Sequence, residues 1–181
     1  TLTLNGGNGF YGVYNVNGGR LISNTAITLG QPSAINVASG ATLQLAAGAA
    51  TGQLNGAGNV QLDAGEFRVD EGTFSGALSG NGDLYKNSSG TLQLSGNSSL
   101  AGATTVAGGI LRVNGSLGNG SVSVQNGASL TGSGTLGGAV TVANGGHLDL
   151  AQGQTLSTGN LTLDANSSLD ASLGAPVSGG G

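Results

Sequence analysis

A glycine-centred turn between two short apolar runs recurs along almost the whole chain, and no other feature constrains the fold as much. Each copy has an apolar residue, two spacers, a glycine and a second apolar run, as in Val37–Leu43 and Val142–Leu148, and a looser copy from Leu84 to Leu92 has a longer insert. The copies begin about 21 residues apart on average, at Val16, Val37, Leu62, Leu84, Val106, Val124, Val142 and Leu163. A repeat of this length predicts a solenoid, in which each unit buries its apolar side against its neighbours.

Apolar and polar residues alternate within these runs, as in Ile35 to Val37 and Leu92 to Leu94, and Gly, Asn or Ser closes each run. Such alternation is typical of short strands with one buried face. No stretch keeps apolar residues at helical spacing without an interrupting glycine, so no helix is expected. The sequence therefore predicts an all-β parallel β-helix of about eight coils, with Leu, Val and Ile inside and neighbouring coils about 4.8 Å apart.

The glycine of each copy is expected to form a left-handed corner between two strands. In the last copy Asn replaces glycine, and Asn is among the residues most tolerant of positive φ. The predicted corners are Gly19, Gly40, Gly65, Gly109, Gly127, Gly145 and Asn166.

Residues that alternate with the core positions are expected to stack into two outward columns. One column is predicted to contain Ile22, Gln44, Arg68, Gln93, Arg112, Thr131, Asp149 and Asp170. Its neighbour is predicted to contain Arg20, Thr42, Glu66, Thr91, Ile110, Ser129, His147 and Ser168.

Composition excludes several functional classes. The net charge is −4, and the four basic residues Arg20, Arg68, Lys86 and Arg112 are scattered singly, so neither nucleic acid nor an anionic membrane is an expected partner. No apolar run is long enough to span a bilayer, and we expect no direct membrane insertion of this segment. Cysteine is absent, which excludes disulfides and thiolate metal sites and is compatible with an exported protein.

The candidates for a catalytic or metal site are His147, the one histidine of the chain, and the nearby Asp149 and Asp170. Because zinc needs three or four protein ligands, we expect a solvated surface histidine, no metal site and no cofactor. Two carboxylates in neighbouring coils could support glycoside cleavage, which needs a separation of about 5–5.5 Å in retaining enzymes. All six aromatic residues precede residue 90, however, so no sugar-stacking surface is expected and no catalytic residue is predicted.

A charged segment between Asp63 and Lys86 contains seven of the twelve charged residues. It could be an interaction patch. The alternation favours a simpler interpretation, in which Phe67 and Phe74 face inward and the charges are solvated.

The segment from Phe74 to Leu117 resembles the passenger-associated transport repeat of bacterial autotransporters. The matching positions are Lys86, Gly90, Leu92, Leu94, Gly96, Asn97, Gly102, Thr104, Val106, Gly109, Leu111 and Val113. Residues 118–150 are similar to the segment that usually follows. The chain departs from the family pattern at Leu100, where Tyr is common, and at Ala151 and Gln152, where Pro-Gly is usual.

The resemblance implies a right-handed β-helical passenger over residues 1–173, with 174–181 as a linker or an artificial end. It also implies type V secretion across the outer membrane of a Gram-negative bacterium by a C-terminal β-barrel of the same polypeptide. That barrel is not in this chain. The passenger would then be displayed at the cell surface or released.

Three functions remain open at this point. In the first, the chain is a rigid surface stalk whose folding outside the cell assists export. In the second, it is an adhesin or self-association module, whose flank binds a host surface or a neighbouring cell. In the third, it is a carbohydrate-active β-helix enzyme.

Overall fold

The chain folds into a parallel β-solenoid. The computed structural model describes residues 1–5, 11–25, 27–28 and 34–172. Within these residues it has 24 strands and no helix, and every strand pairing is parallel. The predicted all-β parallel architecture is therefore confirmed. The boundary at residue 173 and the segment 174–181 lie outside the described residues.

Each coil contributes strands to three faces, which we call A, B and C in the order in which the chain visits them. Face A is a separate nine-stranded sheet, whereas B and C are the two halves of one 15-stranded sheet. The strands of face A are β1 (Leu2–Leu4), β3 (Arg20–Ser23), β6 (Thr42–Leu45), β8 (Asn59–Leu62), β10 (Ala77–Gly80), β13 (Asn97–Leu100), β16 (Ser116–Gly118), β19 (Thr135–Leu136) and β22 (Ser157–Thr158).

Faces B and C are joined where two long strands, β7 (Ala49–Gly56) and β9 (Glu66–Phe74), run through the corner between them. The other strands of face B are β4 (Ile27–Thr28), β11 (Asp83–Lys86), β14 (Thr104–Val106), β17 (Val122–Val124), β20 (Val140–Val142) and β23 (Leu161–Leu163). The other strands of face C are β2 (Val13–Val16), β5 (Ala34–Val37), β12 (Thr91–Leu94), β15 (Ile110–Val113), β18 (Ser129–Thr131), β21 (His147–Leu150) and β24 (Ser168–Ala171). None of the described segments forms a helix that could span a membrane.

The solenoid makes about eight turns, as predicted, but successive coils are about 19 residues apart and not 21. The difference arises because the glycine turns lie at different corners. The turn at Gly40 joins face C to face A, the turn at Gly65 joins A to B, and the turns from Gly109 onwards join B to C. The interval between two copies is longer by about a third of a coil wherever the glycine turn moves on to the next corner, and this happens twice. The average interval between copies is therefore longer than one coil.

The same change of corner breaks the two predicted outward columns. In face A, Gln44 pairs with Gln61 and Thr42 with Asn59, so the predicted links from Gln44 to Arg68 and from Thr42 to Glu66 are wrong. Arg68 and Glu66 lie in face B, whereas Gln93 pairs with Thr73 in face C. From β12 onwards both columns are confirmed, as Thr91, Ile110, Ser129, His147 and Ser168 and as Gln93, Arg112, Thr131, Asp149 and Asp170.

Inward side chains form continuous aliphatic columns through the rod. In face B, Val106, Val124 and Val142 pair in register, and each is 0% exposed. Phe67 and Phe74 are also buried, which confirms their predicted inward orientation. Each fully buried side chain of this size contributes about 1.5–3 kcal/mol to folding. The interior of the solenoid therefore holds neighbouring coils together.

The six corner glycines have φ between +61° and +79°. At Gly40, Gly127 and Gly145 the turn also makes an i to i+3 backbone hydrogen bond of 2.8–3.1 Å. In each of these turns the glycine is the third of four residues, and a positive φ at that position together with this hydrogen bond is typical of a type II turn. Asn166 differs from the expectation, because among the described residues Ser88 alone combines a side chain with positive φ. The turn at Asn166 keeps the hydrogen bond, at 3.0 Å, and a type I turn provides it without positive φ.

Two further columns of glycines stack at the corners from C to A and from A to B, and the sequence analysis did not identify them. At the corner from C to A the column contains Gly58, Gly76, Gly96, Gly115 and Gly134. At the corner from A to B it contains Gly82, Gly102, Gly120, Gly138 and Gly159. From the second member of each column onward, a Cβ atom would collide with the carbonyl oxygen of the glycine one coil earlier. Glycine is needed at these corners for close backbone approach and not for positive φ.

We predict that alanine is tolerated worse in the stacked columns than at an open left-handed corner such as Gly127. Gly96→Ala should lower the free energy of unfolding by about 3 kcal/mol, because the carbonyl of Gly76 cannot move without breaking the coil stack. Gly127→Ala should cost about 1 kcal/mol, since its Cβ meets nothing within 4 Å and only the backbone is strained. Urea unfolding followed by circular dichroism measures both. The reverse order would refute the close-approach explanation.

Candidate functional site

The residues that resemble the transport repeat occupy five consecutive strands, from β11 in face B to β15 in face C. Their aliphatic members lie in the core, at most 1% exposed: Leu92, Leu94, Val106, Leu111 and Val113. Thr104 is also buried, Gly109 forms a left-handed corner, and Gly96 and Gly102 belong to the two stacked glycine columns. Gly90 leaves no space for a Cβ beside the Glu71 side chain, whereas Asn97 is exposed. Almost every motif residue therefore shapes the interior or a corner of the rod.

Lys86 is the exception to the aliphatic interior. Its side chain points inward and is 0% exposed, in register between Val69 and Val106. The ammonium Nζ donates hydrogen bonds to the backbone carbonyls of Asn87, Ser88 at 3.0 Å and Gly108 at 3.1 Å. An ammonium has three N–H donors, so each finds an acceptor.

These hydrogen bonds connect three successive coils. The acceptors on Asn87 and Ser88 belong to the corner that follows β11, where Ser88 adopts φ of +62°. The acceptor on Gly108 belongs to the next coil, and the Asn87 side chain donates to Asp70 Oδ1 of the preceding coil at 3.3 Å. Lys86 thus fixes the wider corner, which has one residue more than the corresponding corner at Gly109.

Burial lowers the pKa of Lys86 to about 8, because transfer of the ammonium from water disfavours its charged form. The carboxylates of Asp70 and Glu71 act in the opposite direction and favour the charge. The group is enclosed by backbone, which leaves it no access to a substrate. Its chemistry here is that of a structural hydrogen-bond donor.

The sequence analysis placed Lys86 in the motif by resemblance and did not predict its burial. A signal was present, because Leu84 and Lys86 are two residues apart on one strand and must point to the same side of it. Leu84 is 0% exposed, so the alternation assigns Lys86 to the interior.

The charged segment between Asp63 and Lys86 satisfies most of its charges locally. Arg68 forms a 2.6 Å ion pair with Glu66, and its guanidinium lies 4.5 Å from the centre of the Tyr85 ring. Asp63 accepts hydrogen bonds from Gln44 and Gln61. These contacts agree with the simpler interpretation for the charges at the surface, but Lys86 and Asp70 are buried, so the expectation that all the charges are solvated is wrong.

The structure brings His147, Asp149 and Asp170 together on the outward side of face C. Asp149 pairs with Asp170 and His147 with Ser168, and one ligand atom from each of the three lies within 4.8 Å of the others. Ser168 Oγ donates to Asp170 Oδ2 at 2.7 Å. Phe67 and Phe74 are buried in the core and lie far from these residues in the sequence. They therefore offer the cluster no sugar-stacking wall.

A shallow cavity of about 280 Å³ lies on face A, over the bulge in the pairing of β13 with β16. Small polar residues line it, including Ser99, Ser116, Asn119 and Thr135. It contains no ionisable or aromatic side chain among its described lining residues. The cavity therefore has no group that could act as an acid, base or nucleophile beyond these hydroxyls.

Comparison with known proteins gives a match to one part of the chain. A family model described as the passenger-associated-transport-repeat matches residues 84–113, which include all the motif positions from Lys86 to Val113. No curated protein and no solved structure gives a significant match. The match and the β-solenoid together fit an autotransporter passenger, so the resemblance found in the sequence is confirmed.

We predict that the stability of the protein depends on pH through Lys86. Between pH 8 and 10.5 the unfolded chain binds more protons than the folded one, because the folded pKa is the lower of the two. The free energy of unfolding should therefore rise with pH, by about 2 kcal/mol between pH 7.5 and 9.5. Urea titrations across this range measure the slope.

Lys86→Met is the matched control, since methionine keeps the apolar stem and has no titrating group. Its unfolding free energy should be lower than that of the wild type at pH 7.5, because three carbonyls lose their donor. It should also lack the rise between pH 7.5 and 9.5. Parallel slopes in the two proteins would show that Lys86 is not the titrating group.

Proposed function

We propose that this chain is a structural segment of an autotransporter passenger, a rigid stalk whose folding outside the cell assists export. The observation that carries the proposal is the location of the transport repeat. Its residues line the core and the corners of an uninterrupted coil stack, and its one buried charge binds backbone carbonyls. A repeat built in this way serves folding and not recognition of a ligand.

Coil-by-coil folding suits this role because each coil contacts only its neighbours. Adding a coil buries one or two inward side chains per strand and pairs its backbone with the coil already formed. The burial offsets the conformational entropy lost by the newly ordered residues. A segment that folds after emerging from the cell cannot slide back through a pore that passes only an unfolded chain.

The proposed partner is the C-terminal β-barrel translocator of the same polypeptide, and the proposed location is the cell surface or the medium. Only 7% of the residues are charged, so the outer surface is mainly neutral and polar. Such a surface suits a stalk that avoids unspecific binding to charged partners. The same surface would also serve an adhesin or a self-association module, which is the second candidate.

The stalk proposal predicts that export depends on the folding of this segment. Val124 is 0% exposed between Val106 and Val142, so Val124→Asp places an unpaired carboxylate in the aliphatic column at a cost of several kcal/mol. Thr131 is half-buried on the outward side of face C in the same coil. In the full-length polypeptide, Val124→Asp should lower surface display and Thr131→Asp should leave it unchanged.

The measurement is the protease accessibility of the passenger on whole cells, normalised to total protein, with circular dichroism of the purified variants as the folding control. Equal display of both variants, with Val124→Asp unfolded, would show that folding of this segment is not used for export. Aggregation of cells or binding to host cells by the displayed wild type, with display insensitive to Val124→Asp, would favour the adhesin.

A further inference from the structure

Three side chains that can ligate metals converge on the outward surface of face C near its last described strand. His147 and Asp149 are two residues apart on β21 and point to the same side. Asp170 stands opposite Asp149 on β24, one coil further along. One ligand atom from each residue lies within 4.8 Å of the other two.

The spacing is close to what a metal ion requires. Zinc binds imidazole nitrogen and carboxylate oxygen at about 2.0–2.2 Å, which places neighbouring ligand atoms about 3.4 Å apart in a tetrahedral site. His147 and Asp149 are half-buried and Asp170 is exposed, so their side chains can rotate by the remaining distance. The hydrogen bond from Ser168 Oγ occupies Oδ2 of Asp170, which leaves Oδ1 for a metal.

The local charge also favours a cation. Asp149 and Asp170 stand side by side in adjacent coils, and like charges at this distance repel. The ion pair found in the described part of the chain joins Arg68 and Glu66, so neither carboxylate of the cluster has a basic partner within 4 Å there. A divalent cation between the two would remove the repulsion.

We propose that His147, Asp149 and Asp170 form a surface binding site for a divalent transition-metal ion of the Zn²⁺ type. The imidazole selects such ions over Mg²⁺ and Ca²⁺, which prefer oxygen ligands alone. Three protein ligands leave at least one position for water. The expectation of a solvated histidine rested on the ligand count, although Asp149 and Asp170 were already expected in one column. It changes because the structure brings one ligand atom of each of the three residues within 4.8 Å of the others.

Metal binding would clamp one coil onto the next. His147 and Asp149 belong to β21 and Asp170 to β24, so a bound ion adds a link between the last two described coils. Because the ion binds the folded arrangement of ligands, it stabilises the fold by an amount that rises with the logarithm of its free concentration over its dissociation constant.

Isothermal titration calorimetry of the full chain with Zn²⁺, after treatment with EDTA and dialysis, tests the site. The wild type should bind one Zn²⁺ per chain, and an excess of Mg²⁺ or Ca²⁺ should not compete. His147→Ala and Asp170→Asn should each weaken binding at least tenfold. The control Asp164→Asn removes an exposed carboxylate from the same coil as Asp170 but outside the cluster, and it should bind as the wild type does.

Thermal unfolding provides the second readout. In EDTA all four proteins should unfold within a degree or two of one another, because exposed substitutions of this kind change stability little. Saturating Zn²⁺ should raise the midpoint of the wild type and Asp164→Asn but not that of His147→Ala. Absence of saturable binding, or equal binding by the wild type and His147→Ala, would overturn the proposal. Equal loss in Asp164→Asn and Asp170→Asn would reduce it to diffuse attraction by acidic groups.

Discussion

Close stacking of one backbone coil on the next is the constraint on which the rest of the structure depends. Parallel pairing holds neighbouring coils about 4.8 Å apart, and where the corner glycines stack directly on one another this spacing leaves no room for a side chain. The stacked columns that include Gly96 and Gly102 meet that requirement, since a Cβ on either would enter the carbonyl of the coil before. A glycine content of 38 in 181 residues is the consequence of building a narrow three-cornered coil.

Once the backbone stacks, the inward side chains form aliphatic columns, and Lys86 is the one fully buried basic residue among the described residues. It is tolerated because its own corner and that of the next coil together present three carbonyl acceptors to its ammonium. Its bond to the next coil, and that of Asn87 to the preceding coil, make the transport repeat a point where stacking is enforced by polar groups as well as by apolar burial.

Regular stacking also explains how side chains that can bind a ligand become neighbours on the outer surface. Residues on one strand recur one coil later at the same place, so single side chains such as Asp149 and Asp170 become neighbours without any local motif. A stalk proposed to fold outside the cell can carry a cation site in this way without any change to its core. The site and the stalk depend on the same register, but separate measurements test them.

The sequence by itself determined the all-β class, the parallel stacking, the inward residues and the transport repeat, because alternation and glycine turns are local signals that survive in any coil. Only the tertiary structure decided which corner each turn occupies, and therefore the 19-residue coil, the pairing of Gln44 with Gln61 and the stacked glycine columns. Turns at all three corners have nearly the same local sequence. Which corner a turn forms depends on the strand of the preceding coil with which the next strand pairs. That pairing depends on the register of the whole stack.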